Sequence, residues 1–153
     1  TLRGTHNLVN LYANTERRVE SITPAIMHKQ RQRVATHMSN ERKATSATDR
    51  RAIVRELSEF HLLLGEISGN SVLSEILANL MVRSSLIVAL YQRNDVPSCA
   101  SDEHQQIITA LEKGDHERAA AVMLEHLGEL EDQLDLDDQA EPEVNLRQAL
   151  AGL

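Results

Sequence analysis

The sequence has few residues that could stack on bases, form disulfides or cross a membrane. Its only Phe, Tyr or Trp residues are Phe60, Tyr12 and Tyr91 among 153 residues. Surfaces that bind single-stranded nucleic acid by stacking need interleaved aromatic side chains, and this scarcity argues against one. The single cysteine, Cys99, excludes an intrachain disulfide. No apolar run approaches the roughly 20 residues that a membrane-spanning helix requires, so no association with a membrane is expected.

Charge is divided unevenly between the two ends of the chain. Residues 1–55 carry 11 basic and 4 acidic side chains, whereas residues 56–153 carry 5 basic and 19 acidic ones. A basic segment can indicate nucleic-acid binding, but no DNA-reading motif accompanies it. We therefore interpret these charges as solvated helix faces and loops.

Leu, Ala, Glu and Arg dominate the composition, and all four favour helices. Apolar residues recur at helical spacing, and no segment alternates at period two for long enough to predict a strand. The chain therefore predicts one all-α domain over residues 1–153, an antiparallel bundle of about six to seven helices. The predicted helices cover residues 5–21, 24–39, 49–68, 71–93, 102–113 and 116–135, with a short final helix in "EVNLRQALAGL".

Short polar residues mark where these helices begin. Thr23 before Pro24, and Thr48, Asn70 and Asp115, are predicted N-caps because their side-chain oxygens can accept from the first free N–H groups. Gly69 is predicted to end the helix that precedes Asn70, and Gly114 the helix that precedes Asp115. "SNERKATSATD" is predicted to be a polar connection.

Three of the seven histidines lie on apolar helix faces. His61 shares a face with Leu57 and Leu64, at spacings of four and three. His104 and His126 have similar apolar neighbours on their own helices. The other four histidines sit among polar neighbours or at helix ends and are predicted to lie at the surface: His6, His28, His37 and His116.

Inward histidines on three helices suggest a shared metal site. Bundle cores are where facing helices place metal ligands, and neutral imidazole is the commonest nitrogen ligand for zinc, nickel, copper and iron. The alternative is that each histidine is a core residue satisfied by a local hydrogen bond. Periodicity does not show whether the three meet at the same height in the bundle, so both interpretations remain open.

The order of these motifs resembles a known family. "EFHLLLGEISGN" followed by "DEHQQIITALEKGDHERAAAVMLEHL" is similar to the ligand-sensing C-terminal (FCD) domain of FadR-type regulators in the GntR family. The earlier "ERRVE" resembles the arginine-rich opening of that domain. The resemblance covers about residues 14–138. Its matching positions are Phe60-His61, Leu64, Gly69-Asn70, His104, Gly114-Asp115, Met123 and His126-Leu127.

The resemblance implies a cytoplasmic transcription regulator rather than an enzyme. It implies a helical bundle that binds a small carboxylate effector next to a divalent metal ion, with zinc or nickel preferred here. It also implies a homodimer that reads operator DNA through an N-terminal winged helix-turn-helix. That module is missing from this chain, which begins at Thr1 and is expected to be part of a longer protein.

The residues that the resemblance assigns to the metal are His61, His104, His126 and an acidic residue four positions before His61. Here that position is Leu57. Glu56 and Glu59 point about 100° and 200° away from Leu57 around the helix, so neither replaces the missing carboxylate without distortion. Water or the effector's own carboxylate is expected to fill the place.

Two arginines are candidate effector contacts, because the planar guanidinium suits a carboxylate. Arg83 is predicted near the inward stripe of its helix, and Arg17 lies in "ERRVE". The simpler interpretation of Arg83 is a rim residue that pairs with an acid such as Glu75.

Three alternatives compete with the interpretation as a sensor that binds a small carboxylate next to a metal ion. A small metal hydrolase or oxygenase could use the same histidines, but it would need a general base beside the metal. A metal-free sensor could hold a larger apolar ligand. A structural interaction module could carry the histidines as ordinary core residues.

Overall fold

The computed structural model describes residues 21–47, 49–91 and 100–132. These residues form helices and no strand, which confirms the all-α prediction. The predicted helices over 5–21 and in "EVNLRQALAGL" lie outside the described residues. The five helices of the described part are α1 (Pro24–Thr45), α2 (Arg50–Ile67), α3 (Ser71–Tyr91), α4 (Ala100–Lys113) and α5 (His116–Asp132).

The helix predicted over residues 24–39 is α1, and it is longer than predicted because its buried face continues past Ser39. Met38, Glu41 and Ala44 are all buried at spacings of three, so packing holds the helix together through its polar stretch. "SNERKA" is therefore helical rather than a connection, and α1 extends to Thr45. This correction places Glu41 in the interior of the bundle.

Capping residues fix three of the helix starts as predicted. The Thr23 hydroxyl accepts from the Ile26 N–H with Pro24 at the first helical position. Asn70 Oδ1 accepts from the Leu73 N–H, and Asp115 Oδ1 accepts from the Arg118 N–H. The prediction for Thr48 falls outside the described residues.

The α2 helix is capped by Asp49, whose side chain accepts from the Arg51 and Ala52 N–H groups. It therefore begins one residue later than predicted. Gly69 and Gly114 end α2 and α4 with φ values of 69° and 75°, a backbone region that favours glycine. The tight turns at these glycines place α2 against α3 and α4 against α5 as antiparallel neighbours.

Packing joins the helices in the order α3, α2, α1, α4 and α5, with α2 also touching α4. The close approach of α2 and α3 depends on Gly65, where an added Cβ would lie 2.8 Å from Leu77 Cδ1. The shared core is built from aliphatic side chains, methionine and one aromatic ring. Its most buried apolar members are Ile22, Met27, Phe60, Leu77, Ile107, Leu111 and Met123.

The α3 helix has the most exposed apolar side chains. Val72, Ile76, Val82 and Leu86 are exposed, although Ile76 lies at helical spacing from Leu73 and Leu80. Among the described helices it packs against α2, which covers the face carrying Leu73, Leu77 and Leu80. None of the described helices combines the length and apolar character needed to cross a bilayer.

Candidate metal centre

The three inward histidines meet at one height in the bundle. His61 on α2, His104 on α4 and His126 on α5 each offer a ring nitrogen, and these nitrogens lie within 4.8 Å of one another. Their exposed fractions are 5%, 0% and 6%. The three helices therefore place three imidazoles in one buried cluster, which we call the histidine cluster.

Ring packing sets the orientation of His104. The Phe60 ring stacks on the His104 ring with centroids 3.8 Å apart and planes inclined by 9°. The His61 ring meets His104 edge-on at 5.3 Å. Because Phe60 itself is fully buried, the side chain of His104 has little freedom to change its rotamer.

Two carboxylates bind the outer nitrogens of the cluster. His104 Nδ1 lies 2.8 Å from Glu41 Oε2, and His126 Nδ1 lies 2.6 Å from Glu103 Oε2. An ionised carboxylate only accepts hydrogen bonds, so the proton belongs on Nδ1 of each ring. The Nε2 atom of each ring is then left with a lone pair.

Burial keeps these groups in the charge states that the hydrogen bonds require. Burial lowers the pKa of His104 to about 4, although the neighbouring Glu41 acts against this shift. Burial, with His104 and His126 nearby, lowers the pKa of His61 well below 6.5. For Glu41, burial alone would raise the pKa, but hydrogen bonds from His104 and His37 outweigh it and lower the pKa below 4.5. At neutral pH the two imidazoles are neutral and the Glu41 carboxylate is charged.

The inner nitrogens fit a metal ion. His104 Nε2 and His126 Nε2 lie 3.2 Å apart, with both lone pairs on the inner side. Two ring nitrogens at this distance need either a proton or a metal ion between them, because two facing lone pairs repel each other. Two nitrogens bound to tetrahedral zinc at 2.0–2.1 Å would lie about 3.3 Å apart. The three nitrogen donors and their spacing therefore suit a borderline divalent metal such as zinc or nickel.

A second group of ligand atoms lies closer to the surface. His37, Glu56 and Glu59 also have ligand atoms within 4.8 Å of one another, and Glu59 is exposed. We call this group the surface cluster. His37 also lines a groove of about 590 Å³ between α1 and α2, together with Glu59 and Glu66.

His37 was predicted to be a surface residue, and this was wrong. Its side chain is only 10% exposed, and its Nε2 lies 3.4 Å from Glu41 Oε2. Its ring centroid is 6.2 Å from that of Phe60. His37 therefore joins the surface cluster to the carboxylate behind His104.

Of the two arginines predicted to bind an effector, Arg83 is described, and it is not brought to the histidine cluster. Arg83 is exposed on α3, a helix that contributes no residue to the cluster. Arg17 lies outside the described residues. Leu57, where the resemblance expects an acid, is half-buried on α2.

Sequence reasoning missed Glu41 and Glu103. Glu41 fell in a predicted connection, although its spacing of seven from Val34 and three from Met38 puts it on the buried stripe of α1. Glu103 directly precedes His104. No residue pattern within a single helix indicates that it pairs with His126 on the next helix.

The fold and the cluster define an all-helical domain with an interior nitrogen-rich site able to bind an ion or small ligand. The family model of the FCD domain matches residues 14–129. The chain therefore belongs to the FCD family, the ligand-sensing C-terminal domain of GntR/FadR-type regulators. FCD domains are regulatory sensing domains and are not a known enzyme family. Members of the family often bind a metal. No curated protein and no solved structure matches the chain.

Proposed function

We propose that this domain senses a small organic acid with the help of a divalent metal ion held by His61, His104 and His126. The observation that carries the proposal is the convergence of three buried imidazoles, two of them with Nδ1 bound to a carboxylate. Membership of a regulatory sensing family supports the sensing role.

In this proposal the effector's carboxylate occupies the position that Leu57 leaves without an acidic ligand. The three rings are almost completely buried, so an effector that reaches them has to displace packed side chains. Binding would thereby favour one helix arrangement over another, in proportion to the effector's different affinities for the two. Arg83 and Arg17 remain candidate contacts for a further part of the effector.

The partner in this proposal is an N-terminal winged helix-turn-helix in a cytoplasmic homodimer. A shift in helix arrangement would change the spacing of the two DNA-reading modules, and with it their fit to two operator half-sites. The nearest described carboxylates to the cluster, Glu41 and Glu103, are already bound to ring nitrogens. This pairing disfavours the hydrolase or oxygenase alternative, which would need a carboxylate as a general base.

Metal analysis of the purified chain tests the proposal. We expect about one equivalent of zinc or nickel, lost after His61→Ala but retained after His28→Ala, an exposed control. Small dicarboxylates and hydroxy acids should then raise the melting temperature of the metal-loaded protein without being consumed. Less than about a tenth of an equivalent of metal after loading with zinc would contradict the metal site.

A further inference from the structure

Glu41 is a fully buried carboxylate, and its position calls for an explanation. It extends from α1 towards α4, where Oε2 accepts from His104 Nδ1 at 2.8 Å. Burying a charge is costly, and an apolar residue of similar volume is often no less stable than a buried ion pair. The stability of the bundle alone therefore does not account for this residue.

Glu103 repeats the arrangement on the neighbouring ring. Its Oε2 lies 2.6 Å from Nδ1 of His126, and the contact joins α4 to α5. The two carboxylates come from different helices, yet both bind the nitrogen that points away from the cluster. Carboxylates placed in this way orient metal-bound imidazoles, fix their tautomer and raise their basicity.

Neither carboxylate is placed to be a metal ligand itself. Each binds Nδ1, while the inner Nε2 atoms of His104 and His126 face each other at 3.2 Å. A ligand oxygen must lie within about 2.0–2.2 Å of zinc, and an imidazole ring stands between each carboxylate and the cluster centre. Their charge therefore acts on the centre through the rings.

We propose that Glu41 and Glu103 are positioning residues for the metal site, and that together they replace the negative charge that Leu57 does not supply. This inference rests on the proposed metal site. The protein's direct ligands are then three neutral imidazoles, and the compensating charge lies one ring further out. Such a set favours zinc, nickel or cobalt over manganese and magnesium, which prefer oxygen ligands.

His37 extends the same arrangement towards the surface. Its Nε2 lies 3.4 Å from the Glu41 oxygen that accepts from His104. This Glu41 oxygen thus lies close to two imidazoles, one on α1 and one on α4. The positioning of His104 consequently depends on α1 as well as on its own helix.

The experiment is a zinc titration of the chain against a chromophoric chelator, for the wild type and single variants. We expect Glu41→Gln and Glu103→Gln to lower zinc affinity about 10-fold and the alanine variants up to about 100-fold. Gln keeps an acceptor for the Nδ1 proton but removes the charge, so it should rescue part of the loss. Glu125→Gln, exposed and adjacent to His126, is the matched control and should bind zinc as the wild type does.

Two spectroscopic readouts separate positioning from a purely structural role. In the zinc-loaded wild type, ¹⁵N chemical shifts should show the Nδ1–H tautomer for His104 and His126. Glu41→Ala should disturb the tautomer of His104 only, and Glu103→Ala that of His126 only. The visible bands of the cobalt-loaded protein should shift in the same variants. Glu103, at the partly exposed edge, keeps the test available where Glu41→Ala impairs folding.

The outcomes distinguish this inference from the proposed function. Zinc affinity within about twofold of wild type in both glutamine variants would overturn the positioning role and leave the three-histidine site intact. A loss in one variant alone would overturn the role of the other carboxylate. A wild-type chain that binds no zinc would overturn both.

Discussion

The histidine cluster and the surface cluster each bring together three potential metal ligands within 4.8 Å, but their surroundings differ. The histidine cluster has only nitrogen ligands, is closed to solvent, and has carboxylates on its outer side. The surface cluster has one imidazole and two carboxylates, one of them exposed. The exposed Glu59 carboxylate is well hydrated and gains little from a bound ion, whereas two buried ring nitrogens 3.2 Å apart need a proton or a metal ion between them. Ligand proximity alone is therefore a poor guide to a metal site.

The largest expected effect comes from removing the central ring of the histidine cluster. His104→Ala takes away a ligand, the stacking partner of Phe60 and the partner of Glu41. We expect zinc affinity to fall by more than about 100-fold, since losing an outer carboxylate alone costs up to that amount. Isothermal titration calorimetry with zinc measures the change. Affinity within tenfold of wild type would show that the cluster is not the site.

The metal-free protein should lose stability in mild acid because of the same buried rings. The pKa values of His61 and His104 are lowered from 6.5 in the folded chain, so the unfolded chain binds more protons below that pH. The free energy of unfolding should fall by about 1.4 kcal/mol per pH unit per histidine as pH drops below 6.5, and for His104 this fall continues to about pH 4. Glu41, with its lowered pKa, adds a further loss below 4.5 as its carboxylate becomes protonated.

Urea denaturation in EDTA at about pH 7 and about pH 5 measures this loss. His104→Gln should show a shallower dependence, because one buried titrating ring is gone. An unfolding free energy that is constant across this interval would contradict the burial of neutral imidazoles.

A smaller effect is expected from restoring a carboxylate beside the histidine cluster. Leu57→Asp places an acid one helical turn before His61, on the same face of α2. We expect manganese affinity to rise about tenfold relative to zinc, because an oxygen ligand suits the harder ion. Competition between the two metals, followed by manganese electron paramagnetic resonance, gives the ratio. Leu57→Asn is the uncharged control, and an unchanged ratio would show that position 57 does not reach the ion.

The smallest effect is expected in the surface cluster. The double variant Glu56→Gln, Glu59→Gln should bind zinc with wild-type stoichiometry and within about twofold of wild-type affinity, because Glu59 is hydrated and Glu56 already pairs with Arg55. The same titration as for His104→Ala applies. A loss of one bound zinc in this variant would mean that the surface cluster, and not the buried one, holds the metal.

Much of the fold and part of the histidine cluster could be predicted from local sequence patterns. The caps Thr23, Asn70 and Asp115 and the terminating glycines act within a few residues, so their signals lie in short segments. The inward positions of His61, His104 and His126 followed from helical periodicity. Their meeting at one height depends on how the helices pack, and only the structure shows it.

The parts that were missed depend on contacts between helices or on segments whose apolar periodicity is weak. The stretch after Ser39 is polar, so apolar periodicity did not show that its helix formers, Glu41 to Ala44, continue α1. Glu103 reaches a ring on the following helix. Ile76 has the right period to be inward, yet among the described helices α3 packs against one neighbour, and Ile76 is exposed.

The contacts around His104 also have a consequence for the chain as a polymer. Glu41 and His104 are 63 residues apart in sequence, and His104 and His126 are 22 apart. An ion bound at the histidine cluster would tie segments from α2, α4 and α5 into closed loops, with α1 attached through Glu41. Closing such loops in advance reduces the entropy that the unfolded chain can gain, much as a reversible cross-link does. A chain with one cysteine and no intrachain disulfide would thereby gain a removable substitute, opened by a chelator rather than by a reductant.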